Sequence, residues 1–196
     1  MRLEMARASH PMKGEALSGD ACCALPRAGG WLLAVVDALG HGPGAAETAA
    51  AAMDAVKAAA EEPLEGLLKA CHESLKKTRG VAMSLAVIDE ALKSLTWTGV
   101  GNVEGLLLRG QGSQGRERLL LRGGVVGYQM PPPRLTTLPI QAGDALVFAT
   151  DGLRREFCED AQWRRQSPQE LADAIMRGYD SRADDALVWV LRLVEM

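Results

Sequence analysis

The sequence predicts an α+β fold in which helices pack outside two antiparallel sheets. Three observations carry that prediction. Strand-like segments open the chain, fill its middle and close it; two helical segments stand together between residues 43 and 75; and a further helical segment precedes the last strand. This order lacks the regular strand–helix alternation of a parallel sheet. The 196 residues suit one domain, and 47% hydrophobic with 24% charged residues supply enough core to offset the entropy of ordering the chain.

Leu3 to Ser9 alternates apolar and polar side chains and reads as the first strand. Ala21 to Leu25 and Trp31 to Val36 follow as strands, divided by Pro26 and Gly29-Gly30. Pro43 to Ala60 is an alanine-rich helix with proline in its first turn, where a missing N–H costs nothing. The next helix starts near Pro63 and spaces Leu64, Leu67, Leu68, Cys71 and Leu75 three and four apart, which makes one apolar stripe. That stripe reads as core covering a sheet, with a partner-binding face as the alternative.

Met83 to Ile88, Ser94 to Val100, Glu104 to Arg109 and Arg118 to Arg122 read as successive short strands of an antiparallel meander. The Gly-rich, charged stretch from Gly110 to Glu117 reads as a mobile hairpin loop, and Pro131-Pro132-Pro133 marks a second loop. Ala145 to Ala149 is a continuous apolar run, as in a strand buried on both faces. Ser167-Pro168-Gln169-Glu170 is a capping box with proline at the first helical position, and it starts the last helix. Ala186 to Val194 closes the chain as a strand.

Lys and Arg number 22 against 25 Asp and Glu, a net charge of −3, and neither sign forms a long block. This excludes a nucleic-acid binder working through counterion release from a basic face, while leaving room for a local basic patch. The longest apolar stretches, Trp31 to Val36 and Ala142 to Thr150, fall far short of the roughly 18–20 residues of a membrane span. Glu4 places an acid where a signal peptide would begin its apolar run, so a cytoplasmic protein with no membrane partner is expected. Cys22, Cys23, Cys71 and Cys158 form no C-x-x-C pair and read as buried free thiols.

Four aspartates stand where strands begin or end: Asp20, Asp37, Asp151 and Asp184, with Asp185 beside the last. Carboxylates at strand ends can converge at one edge of packed sheets. Clustered carboxylates raise one another's pKa, and a divalent cation relieves that cost. Hard ions such as Mg²⁺ and Mn²⁺ prefer such oxygen donors, and a pair of them sharing one carboxylate can activate water for in-line attack on a phosphate. The turn Asp37-Ala38-Leu39-Gly40-His41-Gly42 adds glycines that allow close backbone approach, just before a helix. Taken singly, each aspartate reads more readily as a turn or cap residue than as a ligand, and it is their joint placement at strand ends that favours a site; Asn102 reads as a structural turn residue, with shaping the rim of a site as the alternative.

Ser18-Gly19-Asp20, Asp37-Ala38-Leu39-Gly40-His41-Gly42, Thr150-Asp151-Gly152 and Arg182-Ala183-Asp184-Asp185-Ala186, in that order, resemble the motifs of the metal-dependent serine/threonine protein phosphatases of the PPM type, in their SpoIIE-like branch. Thr98-Gly99-Val100-Gly101-Asn102-Val103-Glu104-Gly105 and Gly123-Gly124-Val125-Val126-Gly127-Tyr128 resemble the short, stand-alone members that reset the stressosome. The resemblance spans nearly the whole chain and implies a single phosphatase domain over residues 1–196, folded as a four-layer αββα sandwich.

The resemblance further implies two divalent cations, Mn²⁺ or Mg²⁺. Asp37 would bridge them, with the Ala38 carbonyl as a further ligand, Asp20 holding one ion, and Asp151 and Asp184 the other. The family usually has glycine at position 38, and alanine keeps the carbonyl while restricting the turn if a positive φ is required there. His41 would contact the phosphate or protonate the leaving serine oxygen, and Asp185, beside the ligand Asp184, would orient a water on the metal. The implied activity is hydrolysis of phosphoserine or phosphothreonine by a metal-activated water. The implied substrates are phosphorylated STAS-domain proteins of a stress-signalling complex, met by a monomer. Two other readings stay open: an inactive phosphatase-like binding module, and a two-metal phosphoesterase for small phosphate esters, although only 4% of residues are aromatic and could stack a base.

Overall fold

The computed structural model describes residues 2–110, 115–159 and 166–195. Ten strands form two five-stranded sheets among these residues. In chain order they are β1 (Arg2–His10), β2 (Asp20–Arg27), β3 (Gly30–Ala38), β4 (Val81–Asp89), β5 (Ser94–Val100), β6 (Glu104–Leu108), β7 (Arg116–Arg118), β8 (Thr136–Pro139), β9 (Ala145–Ala149) and β10 (Ala186–Val194). One sheet runs β1-β10-β9-β6-β7 and the other β2-β3-β4-β5-β8, with every neighbouring pair antiparallel. The helices are α1 (Gly42–Ala58), α2 (Leu64–Leu75) and α3 (Pro168–Tyr179), with a short 3₁₀ helix at Arg155–Glu159.

Strand alternation sorts the apolar side chains into three cores. Leu33 and Val35 of β3 face Phe148, Leu187 and Trp189 of the other sheet, forming the central core between the sheets. Leu32, Ala34, Val36 and Ala38 point the opposite way, onto α1 and α2. On the far side Val188 and Val190 of β10 and Val147 of β9 pack with Leu171 and Ile175 of α3. Three apolar interfaces mean four layers, the expected αββα sandwich.

Each helix is set by its own residues. Pro43 lies in the first turn of α1, and Ala45, Ala49 and Ala52 present a buried face small enough to sit close on β3. Leu67, Leu68 and Leu75 of α2 are fully buried, so the leucine stripe is core and not a partner face. Burying each such side chain stabilises the fold by about 1.5–3 kcal/mol. Ser167 caps α3 as a capping box, its side chain accepting from the Glu170 amide while Glu170 reaches back to the Ser167 amide.

Several elements differ from the expectation. Pro26 does not separate strands: it lies within β2, paired with Trp31, because β2 is an edge strand, where proline is tolerated. The segment expected as a strand over Arg118 to Arg122 is instead a crossing. Strand β7 ends at Arg118, the Leu119 amide then donates to Gly105 of one sheet, and the Arg122 amide to Gly99 of the other. Strand β8 was not expected after the proline loop. It forms because the Thr136–Pro139 edge segment pairs with β5.

Within the expected loop Gly110 to Glu117, residues 111–114 lie outside the described residues, and Arg116 and Glu117 already belong to β7. Arg109 fastens the base of this hairpin, bonding Glu117 and, at 3.0 Å, the buried Asp144. Cys71 and Cys158 are buried and Cys22 and Cys23 half-buried, and all four are free. Among the described residues no helix is long and apolar enough to cross a membrane.

Candidate metal centre

The aspartates arrive at one end of the sandwich from both sheets. Asp20 opens β2 and stands directly opposite Asp37 of β3 in the antiparallel register. Asp151 follows the end of β9, and Asp184 lies just ahead of β10. Asp37, Leu39, Gly40, Asn102, Asp151 and Asp184 line a common cleft of about 140 Å³. Asp20 does not line that cleft itself; it lies opposite Asp37, its Oδ2 accepting a 2.7 Å hydrogen bond from Thr150 Oγ1.

The turn after Asp37 explains how the backbone reverses here. Gly40 and Gly42 take φ of 85° and 72°, in the left-handed region that glycine adopts without a Cβ penalty. Ala38 needs no such freedom, because it lies within β3, paired with Val81, and its φ is not positive. The alanine therefore keeps its carbonyl without straining the turn. At Gly152 a Cβ would overlap the backbone carbonyl of Asp185, so glycine is what lets the Asp151 loop pack against the start of β10.

Electrostatics mark the pair at the centre. Burial pushes the Asp20 carboxyl up to about 7, aided by the charges of Asp185, Asp151 and Asp184 and opposed by the Thr150 hydrogen bond. Asp37 is pushed up to about 8, again chiefly by burial and then by Asp20, Asp151 and Asp184, while Asn102 pulls it down. Asp20 Oδ1 is buried and has no hydrogen-bond partner. Among the described residues no three Asp, Glu, His or Cys side chains close into a metal-sized cluster. The carboxylates line the cleft instead of converging on a point, a spacing that mutual repulsion favours.

The other expected residues divide. Asp185 is buried and accepts two backbone amides, from Met12 and Gly19, at 2.7 Å each. It thereby fixes the backbone immediately before Asp20. His41 does not line the cleft: its Nδ1 lies 2.8 Å from Glu15 Oε1 on the exposed rim. Two residues carry more of the geometry than the sequence suggested. Asn102 is not only a turn residue, since its Nδ2 donates to Asp151 Oδ2 at 2.5 Å. Thr150 holds Asp20 and also accepts from the Leu187 amide, so one hydroxyl ties both sheets together. Its place before Asp151-Gly152 was the only sequence signal.

Helices outside two face-to-face antiparallel sheets, with acidic strand ends at one edge, define the fold class of the PPM-type protein phosphatases. The sequence model of the SpoIIE family, stage II sporulation protein E, matches residues 27–194, and the chain belongs to that family. It is 28% identical over 160 residues to the phosphoserine phosphatase RsbX of Bacillus subtilis (strain 168), covering 82% of this chain and 79% of that protein. A solved chain described under the bacterial stressosome, a modular system adapted to control secondary messenger signaling, superposes with a TM-score of 0.88 at 29% identity, covering 98% of this chain and 100% of that one. The crystal structure of RsbX in complex with magnesium gives a TM-score of 0.84 at 24% identity over 97% of this chain and 95% of that one, a likeness of fold.

Proposed function

We propose that the chain is a metal-dependent protein phosphatase acting on phosphoserine or phosphothreonine, and that residues 1–196 work as one phosphatase domain. The observation that carries this reading is Asp20: a buried carboxylate with an unpartnered Oδ1, in register with Asp37, both titrating far above the usual carboxylate range. A group of this kind fits a cation. The donors are all oxygen, which suits a hard divalent ion, Mg²⁺ or Mn²⁺, and no softer one.

Asp37 would be shared between two ions with the Ala38 carbonyl as a further ligand, Asp20 would hold one ion, and Asp151 and Asp184 the other. Bound there, such cations would offset the clustered charge and supply Lewis-acid activation of the phosphate and of an attacking water.

The remaining work falls to the chain's own side chains. Thr150 keeps Asp20 in one rotamer, Asn102 holds Asp151, and Asp185 anchors the Gly19 amide and so the start of β2. His41, oriented through Nδ1 by Glu15, is the group we assign to contact the phosphate or return a proton to the leaving serine oxygen. As substrate we assign a phosphorylated STAS-domain protein of a stress-signalling complex, met in the cytoplasm by a monomer. The likeness to a phosphoserine phosphatase and to a stressosome chain supports that choice.

The test is phosphate release from a phosphorylated STAS-domain protein and from p-nitrophenyl phosphate, with and without Mn²⁺, for wild type, Asp37→Asn and Asp151→Asn. Metal-dependent turnover abolished by both substitutions is the expected result. Failure of wild type to turn over either substrate, with Mn²⁺ binding verified by calorimetry, overturns the reading in favour of a binding module.

A further inference from the structure

Beside the aspartate cleft lies a second cavity of opposite charge. The turn after β1 and the C-terminal end of α3 enclose about 330 Å³, lined by His10, Lys13, Arg177, Asp180 and Arg182 with Pro11 and Met176. Its single carboxylate is already engaged: Asp180 Oδ2 lies 2.9 Å from His10 Nε2, and Oδ1 accepts the Arg182 amide at 2.8 Å. The Arg182 guanidinium stands 3.9 Å from Asp180, beyond hydrogen-bond reach. Lys13 and Arg177 are exposed and, among the described residues, their side chains make neither an ion pair nor a hydrogen bond. Three cations thus share one committed carboxylate, in a chain whose net charge is −3.

The walls of this cavity are tied to the cleft. The Met12 amide donates to Asp185, and the Ser181 amide to the carbonyl of Gly152, next to Asp151. Arg182 is two residues from the cleft-lining Asp184, a reach of at most about 7 Å along the chain. Arg182 also has φ of 56°, a left-handed conformation that costs a non-glycine residue energy and that tends to persist at functional sites.

We propose that this cavity docks an acidic stretch of the phosphoprotein substrate while the phosphoresidue occupies the aspartate cleft, an inference that rests on the phosphatase reading above. The cations come from three separate segments, Lys13 from the turn after β1, Arg177 from α3 and Arg182 from the stretch before β10, so they suit separate Asp and Glu carboxylates better than one compact anion. Pro11 and Met176 offer apolar surface to the methylene stems of such side chains. Docking of this kind attracts the correct substrate to a cleft that, without metal, repels anions. The acidic residues would lie roughly two to four positions from the phosphoserine, given a chain rise of about 3.3–3.6 Å per residue.

The experiment compares three synthetic phosphoserine peptides with Mn²⁺ present. One carries Asp and Glu on both sides of the phosphoserine, one carries alanine there, and one carries a second phosphoserine. They are measured alongside p-nitrophenyl phosphate, using wild type and the double variant Lys13→Glu/Arg177→Glu, whose fold is checked by circular dichroism and melting. The expected result is at least a ten-fold lower KM for the acidic than for the alanine peptide, shrinking as salt rises. The double variant should lose that preference and keep kcat/KM on p-nitrophenyl phosphate within two-fold.

Equal KM for the acidic and alanine peptides, or a preference that survives the double variant, overturns the proposal. A preference for the doubly phosphorylated peptide alone overturns it too, in favour of a phosphate subsite. If nothing is turned over, the phosphatase reading fails. Docking is then judged by fluorescence anisotropy of the unphosphorylated acidic peptide, where binding that the double variant weakens ten-fold supports it and equal binding refutes it.

Discussion

Asp37→Asn should make the metal-free protein more stable in mild alkali while abolishing its chemistry. Asp37 titrates at about 8 in the folded chain against an ordinary value of 3.8. The folded state therefore holds a proton that the unfolded state has lost, and stability falls as pH rises from about 4 through 8. Over about four pH units, at roughly 1.4 kcal/mol each, the full penalty is about 5–6 kcal/mol. Asp20 is raised in the same way, to about 7, and its charge is one of those that raise Asp37, so the two carboxyls do not titrate independently and the gain from removing one is smaller than the full penalty.

A net gain of about 3 kcal/mol at pH 8.5 is expected, vanishing near pH 4, where both proteins carry a neutral side chain at this position. For a chain of this length that corresponds to a melting rise of roughly 6–12 °C. The assay is thermal melting of both proteins in EDTA across pH 4–8.5. A variant no more stable than wild type at pH 8.5, or a wild type that gains stability as pH rises on account of this site, refutes the electrostatic account. Added Mn²⁺ should reverse the ranking, stabilising wild type more than the variant.

Asp185→Ala strips the partners from the Met12 and Gly19 amides and should cost about 2–4 kcal/mol in urea denaturation, with Asp185→Asn costing less because one acceptor oxygen survives. Thr150→Val removes the hydrogen bond to Asp20 Oδ2 and should weaken Mn²⁺ binding about ten-fold by calorimetry; unchanged affinity would remove Thr150 from the account of the site. Leu67→Ala, at a fully buried position, should cost about 2–5 kcal/mol in the same denaturation assay, and a loss under 1 kcal/mol would contradict its place in the core.

What the sequence disclosed was whatever depends on near neighbours. The capping box at Ser167 and Glu170, the leucine stripe of α2, the doubly buried run of β9 and the whole of β10 are local patterns, and each appears where the pattern puts it. The aspartates were legible because strand ends are legible, and strand ends are where two packed sheets present residues to a common edge. What stayed hidden depends on distant partners. Pro26 belongs to a strand only because β2 turns out to be an edge, and residues 119–122 leave a strand only because they cross to the opposite sheet. Asn102 and Thr150 acquire their roles from carboxylates 49 and 130 residues away, and His41 is drawn toward Glu15, 26 residues before it. No local propensity encodes such pairings.

The long spans that assemble the cleft also order it in time. Gly19 meets Asp185 across 166 residues and Asp20 meets Thr150 across 130. A nascent chain leaving the ribosome at about 5–20 residues per second carries Asp20 and Asp37 for several seconds before their counterparts exist. During that interval β2, β3, α1 and α2 can associate, but the other sheet lacks β10, which joins β1 to β9. The acidic edge is therefore born last, when the final strand zips into place, and chains truncated before Asp184 are expected to lack the assembled cleft.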